Sequence, residues 1–167
     1  MTVKIVVPRE TRPNEKRVAL VPSVAARLAK IGIECHLEAG AGNAARIPDE
    51  VYTKAEVKVG PLSQGDAQIV LRVQPPTVED VQQMPEGSVL LSFIYAHREA
   101  EVVKALRDRK ITCFAMELVP RITRAQAMDA LSSQAALVGY YGALLAATSL
   151  NRILPMMTTA VGSIRPA

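Results

Sequence analysis

Between Pro120 and Ala135 the chain reads PRITRAQAMDALSSQA, which brings Arg121, Arg124, Gln126, Asp129, Ser132 and Ser133 close together. Two guanidinium groups, a carboxamide, a carboxylate and two hydroxyls offer both donors and acceptors. That mixture suits a planar amide or a ribose, each of which presents hydrogen-bonding atoms at fixed separations. If the stretch opens a helix, residues 126, 129 and 133 share one face through i+3 and i+4 steps. Asp129 then also lies near the positive end of the helix dipole. A purely local reading explains the same residues: capping, dipole compensation and a solvated helix start. The residues alone leave both readings open.

The elements that must position this cluster are legible as an alternation. VKIVVP, ECHLEAG, EVKVG, AQIVLRVQPP, SVLLSFIYA and ITCFAMELV read as strands. Between them, PSVAARLAKIG is a helix in which Ser23 can cap, Val24, Leu28 and Ile31 share a face, and Gly32 terminates. PDEVYTKA and TVEDVQQM, with Thr77 as a cap, make shorter helices. REAEVVKALRDRK is amphipathic, with Val102, Val103 and Leu106 on its apolar side. Strands alternating with helices imply a parallel sheet covered on both faces. The expected class is α/β, a three-layer sandwich around a mostly parallel sheet, flavodoxin- or Rossmann-like. Thr123 and Gln126 fit a capping box. The helical pattern then runs to about Leu150, or ~40 Å at 1.5 Å per residue. The pattern divides the chain into a domain over 1–135 and a helix and linker over 136–167. The final PMMTTAVGSIRPA reads as a small, flexible segment.

Other candidates are weaker. GAGNAA (Gly40–Ala45) formally fits the G-x-G-x-x-A dinucleotide pattern, but Pro48 falls where the next helix should run and no acid stands about 20 residues on. A glycine-rich turn is expected there, so the fold is read as lacking the nucleotide loop. PRETRPNEKRVALVP leaves the first strand at its carboxyl end, where such folds place ligands. Its Arg9, Arg12, Lys16 and Arg17 would serve an anionic ligand or pair with Glu10 and Glu15. His36 and His97 have no acid or nucleophile at telling spacing. Cys35 and Cys113 make neither a disulfide framework nor a metal motif, so buried reduced thiols are expected.

At 167 residues, 49% hydrophobic and 22% charged, the composition is that of a soluble globular protein. The net charge of +4 is spread among acids, and aromatic residues are 4% with no tryptophan, which excludes a base-stacking nucleic-acid fold. The N-terminus has no secretory pattern. The apolar run from Ala130 to Asn151 is interrupted by Gly139, Gly142 and two tyrosines, so it is read as a buried helix rather than a membrane span.

VPRETRPNEKRVALVPSVAARLAKIG resembles the N-terminal signature shared by alanine dehydrogenases and the proton-translocating NAD(P) transhydrogenases. AMELVPRITRAQAMDALSSQAALVGYYGALLAA is similar to the transhydrogenase α subunit specifically, and PMMTTAVGSIRPA to the segment leading into its NAD-binding Rossmann domain. Alanine dehydrogenase fits less well. It needs a lysine where this chain offers Arg72 and Gln74, and a histidine where Tyr95 falls. The resemblance implies that Arg121, Asp129 and Ser132 hold the nicotinamide end of NAD, while Gln126 reaches the ribose of NADP on a partner component. Gln126 and Asp129 would then flank the hydride transfer. It further implies a homodimer, a Rossmann partner segment and a membrane proton channel component, with a cytoplasmic location peripheral to the inner membrane. A competing expectation is a non-catalytic assembly or regulatory module that keeps the fold. Because the sequence reaches only to Ala167, weak NAD binding and no hydride transfer are expected of this chain alone. Tight, stoichiometric NAD binding to the isolated chain in calorimetry would contradict that expectation.

Overall fold

A computed structural model describes residues 2–62 and 64–165. The chain divides into two compact units, Met1–Val119 and Pro120–Ala167.

The first unit is built on six parallel strands: β1 (Lys4–Val7), β2 (Glu34–Glu38), β3 (Lys58–Gly60), β4 (Ile69–Leu71), β5 (Val89–Ser92) and β6 (Thr112–Ala115). Their order across the sheet is β3-β2-β1-β4-β5-β6. β1 is the hub: Val6 aligns with His36 on one side and with Val70 on the other. Period-2 alternation sends successive side chains to opposite faces. Ile5, Val7, Cys35 and Leu37 therefore pack with Ala25 of α1 (Pro22–Ala29) and Tyr52 of α2 (Asp49–Lys54). Val6, Val70 and Leu90 pack with Val81 of α3 (Val78–Gln83) and with Val102 and Leu106 of α4 (Ala100–Asp108). This is the expected three-layer α/β sandwich.

Local chemistry accounts for the helix limits. Thr77 caps α3 in a reciprocal box with Asp80: its hydroxyl accepts from the Asp80 amide at 3.1 Å, and the Asp80 carboxylate accepts from the Thr77 amide at 2.9 Å. Ser23 does not cap α1. Pro22 occupies the first turn, Val21 stands at the cap, and no side chain bonds there. Proline fits that position because its missing N–H would be orphaned anyway. α1 also ends at Ala29, and Gly32 (φ +80°) turns the chain back so that the Ile33 amide donates to Leu28. Ile31 thereby leaves the helical face and is exposed, and Ala25 rather than Val24 is the buried contact. On α4, Val102 and Leu106 are buried as expected, while Val103 is exposed.

The second unit departs from expectation in three ways. Thr123–Met128 is a 3-10 helix with no side-chain cap, so Thr123 and Gln126 form no capping box. The α-helix proper, α5, is Ala130–Ser149, capped by Asp129. A short carboxylate competes well for free backbone amides, so the α-helix restarts at Asp129 instead of running through it. α5 is ~30 Å long at 1.5 Å per residue, shorter than the pattern suggested. No residue of α5 is buried, whereas a buried helix was expected. Apolar residues surround it: Leu137, Val138, Tyr140, Tyr141, Leu144 and Leu145 are all exposed. By length and composition it could also cross a membrane. Finally, Met157–Ile164 is not shapeless. β7 (Met157–Thr159) and β8 (Gly162–Ile164) form an antiparallel hairpin, with Thr158 and Ser163 hydroxyls 3.3 Å apart across it.

The Gly40–Ala45 segment is a turn, as its sequence suggested. Asn43–Ala45 is a single 3-10 turn, and the Gly40 amide donates to the Asp49 carboxylate at 3.0 Å. Gly42 is there for space: an added Cβ would lie 2.4 Å from the Ile47 carbonyl oxygen and 2.7 Å from the Tyr52 ring. Gly42→Ala should therefore destabilise the protein by about 1–3 kcal/mol in denaturant unfolding, the usual cost of overpacking. Gly65→Ala, where an added Cβ meets nothing within 4 Å, is the control and should change little.

Candidate functional site

The polar stretch that follows the first unit is organised by Asp129. One carboxylate oxygen accepts from the Ser132 amide at 2.9 Å, and the other accepts from the Ser132 hydroxyl at 2.6 Å. These bonds, chiefly the one from the hydroxyl, hold the Asp129 carboxyl below the usual aspartate range, and the Arg121 charge adds to the effect. Asp129 is therefore an ionised acceptor with its remaining lone pairs free for solvent or a ligand. The Ser132 Oγ keeps its own acceptor capacity. Ser133 is turned to its own helix, its hydroxyl donating to the Ala130 carbonyl at 3.0 Å. Arg121, Arg124 and Gln126 are exposed. The Gln126 side chain makes no hydrogen bond among the described residues, while its backbone carbonyl accepts from the Asp129 amide at 3.2 Å. Gln126 and Asp129 thus do not lie on one α-helical face. They flank the junction between the 3-10 turn and α5. The arrangement offers a fixed anionic acceptor, a hydroxyl and nearby cations.

A second polar assembly lies in the first unit, where the loops after β1 and β4 diverge at the carboxyl edge. Such reversals in strand order create a crevice. The Glu10 carboxylate reaches across it and accepts from the amides of Val73 and Gln74 at 2.6 and 3.1 Å. The Arg72 guanidinium, 5% exposed, lies 2.7 Å from the Asp80 carboxylate. Arg12 pairs with Glu99 at 2.9 Å, Arg17 with Glu15 at 2.6 Å, and the Arg9 amide donates to Glu38 at 2.7 Å. The loop's arginines thus meet carboxylates, though of its expected pairings with Glu10 and Glu15 only Arg17–Glu15 forms. Lys16 is exposed. Gln74 donates to Glu15 at 2.6 Å, and with Arg17 it brings the Glu15 pKa down to about 2.

Sequence reasoning missed Glu10 as a backbone clasp and missed Glu117. The Glu117 carboxylate accepts from the amides of Ile94 and Tyr95 just beyond β5, the latter at 2.6 Å. An acid set among apolar residues in FAMELV was the available signal. His36 lies inside β2, where burial lowers its pKa, and His97 is exposed. Cys35 is buried in β2. Cys113 is only half-buried in β6, its thiol pushed up to about 11 by burial.

A doubly wound parallel sheet, a carboxyl-edge crevice full of ion pairs and no glycine-rich loop after β1 define an α/β domain of Rossmann topology without the phosphate loop. The chain belongs to the alanine dehydrogenase/PNT N-terminal domain family, whose model matches residues 6–138. It is 43% identical to the first of the separately encoded portions of the NAD(P) transhydrogenase alpha subunit of Rhodospirillum rubrum, over 99% of this chain and 45% of that protein. It is 34% identical to Bacillus subtilis alanine dehydrogenase, over 68% of this chain and 30% of that protein. A crystal structure of transhydrogenase from Sinorhizobium meliloti matches 98% of this chain and 50% of that one, with a TM-score of 0.93 and 39% identity. An L-alanine dehydrogenase structure shares the fold, with a TM-score of 0.82 at 22% identity. The chain is thus homologous to the N-terminal part of transhydrogenase α subunits and spans half or less of these relatives' length.

Two pH effects follow from the geometry. Ser132→Ala removes the largest cause of the Asp129 shift, so its carboxyl titration, read by NMR, should move up towards the ordinary value of 3.8. Glu15 has a depressed folded pKa, so its stabilising contribution is complete above the ordinary value of 4.5 and is lost as pH falls through about 2. Glu15→Gln should therefore lower thermal stability at pH 6 more than at pH 2.5.

Proposed function

We propose that this chain forms the nicotinamide-side part of the NAD(H)-binding component of a proton-translocating transhydrogenase. The observation that carries this reading is the preformed Asp129–Ser132 pair beside Arg121, at the start of α5. A nicotinamide carboxamide presents one acceptor and one donating NH2 group. A cationic donor at Arg121 and the acceptors at Asp129 and Ser132 complement it. Direct hydride transfer needs the two nicotinamide carbons within ~3–3.5 Å and water excluded. It needs no general acid or base, so the residues act by orientation. Gln126, exposed and with its side chain uncommitted, would meet the ribose of NADP on a partner component. A Rossmann segment would hold the pyrophosphate and adenosine of NAD. Coupling to proton movement would lie in a membrane component to which this one is peripheral, on the cytoplasmic side. The ring of exposed apolar residues on α5 supports burial against partner protein and self-association as a homodimer.

The test is reconstitution with the NADP-binding and membrane components. Arg121→Ala and Asp129→Asn should each lower hydride transfer from NADH to an NADP analogue by roughly 10- to 100-fold, the range for losing a charged hydrogen bond. Gln126→Ala should raise KM for the NADP analogue while leaving NADH affinity near wild type. Unchanged turnover in the Arg121 and Asp129 variants would leave the assembly-module reading standing instead.

A further inference from the structure

Tyr95 is held in a backbone conformation that its side chain disfavours. Among the described residues, five other than glycine have positive φ: Asn14, Arg46, Glu56, Tyr95 and Lys110. Arg46, Glu56 and Lys110 close helical segments and Asn14 lies in a turn, all common uses of the left-handed region. Tyr95, at φ 50°, instead follows a central strand, β5, at the carboxyl edge where ligands of doubly wound sheets bind. Strain at such a place persists only where the surroundings over-determine it.

Those surroundings are specific. The Glu117 carboxylate takes the Tyr95 amide at 2.6 Å and the Ile94 amide at 3.1 Å. The Tyr95 carbonyl accepts from the amides of Arg98 at 2.7 Å and Glu99 at 3.2 Å, tying it to the start of α4. The ring stacks on buried Phe93, centroids 5.8 Å apart and planes 9° from parallel. Phe93 covers one face of a ring that is itself only half-buried. The charges felt at the neighbouring Arg17 include Tyr95, Glu15 and Glu10. Glu15 neutralises Arg17, so Glu10 leaves the surroundings of the tyrosine net negative.

We propose that Tyr95 is a stacking platform for the oxidised nicotinamide ring, and that Glu117 is the positioning residue that fixes it. This rests on the nicotinamide-nucleotide reading above and adds a binding residue in the first unit. Oxidised nicotinamide is a planar cation and its reduced form is neutral. An electron-rich ring in negative surroundings favours the cation. The platform therefore biases binding towards NAD+ over NADH.

The experiment uses the chain assembled with its partner components. NAD+ and NADH affinities are measured by calorimetry for wild type, Tyr95→Phe, Tyr95→Leu and Glu117→Ala. Tyr95→Leu and Glu117→Ala should weaken NAD+ several-fold more than NADH, and Tyr95→Phe should retain most of the preference. The chain has no tryptophan, so Tyr95→Trp creates a single fluorophore in it. Nicotinamide mononucleotide should quench it saturably and AMP should not. Equal losses for NAD+ and NADH, or quenching by AMP alone, would overturn the platform while leaving the nucleotide reading intact. Absence of any wild-type NAD+ binding would overturn both.

Discussion

The reversal of strand order at β1 is the constraint on which the first unit depends. β1 pairs in parallel with β2 and with β4, so the loops that leave β1 and β4 must part at the carboxyl edge. Parting loops leave strand-end amides without sheet partners, and buried amides need acceptors. Glu10 meets that need for Val73 and Gln74, and Glu117 does so for Ile94 and Tyr95. Two carboxylates from sequence-distant segments thereby hold the edge in shape. The arginines of the same edge are matched by Asp80, Glu99 and Glu15, so the crevice is crowded with charge yet locally compensated.

Asp129 plays the corresponding role in the second unit. It ends the 3-10 turn, caps α5 and binds Ser132 through both its oxygens. A cap of this kind contributes about 1 kcal/mol. Its larger consequence is geometric, because one residue sets both the start of the helix and the orientation of the hydroxyl beside it. Capping and ligand recognition, which the residues alone offered as alternatives, use the same atoms. α5 itself has no polar face, and a helix apolar on all sides is one that other protein or lipid covers.

Much of the fold was readable because its signals are local. The apolar runs around Val6, Val70 and Leu90 could only be buried strands between helices. Thr77 followed by Asp80 named its own cap. Gly42 and Pro48 ruled out a phosphate loop. Where local signals competed, the reading failed. Ser23 lost the α1 cap to Pro22 and Val21, and Thr123 lost the α5 start to Asp129 because the shorter carboxylate reaches the free amides better. The Met157–Ile164 hairpin was missed because three-residue strands carry too little alternation to detect.

The sequence by itself determined the strand–helix alternation, the polar composition of Arg121–Ser132 and the family resemblance, since each is written in neighbouring residues. Only the tertiary structure decided which loop arginine meets which acid, that Glu10 and Glu117 clasp backbone amides, and that Tyr95 is held at φ 50° against Phe93. Those outcomes depend on distant residues being brought to one sheet edge by the strand order. Tyr95 and Glu117 are 22 positions apart, and Arg12 and Glu99 are 87 apart. No local pattern encodes that proximity.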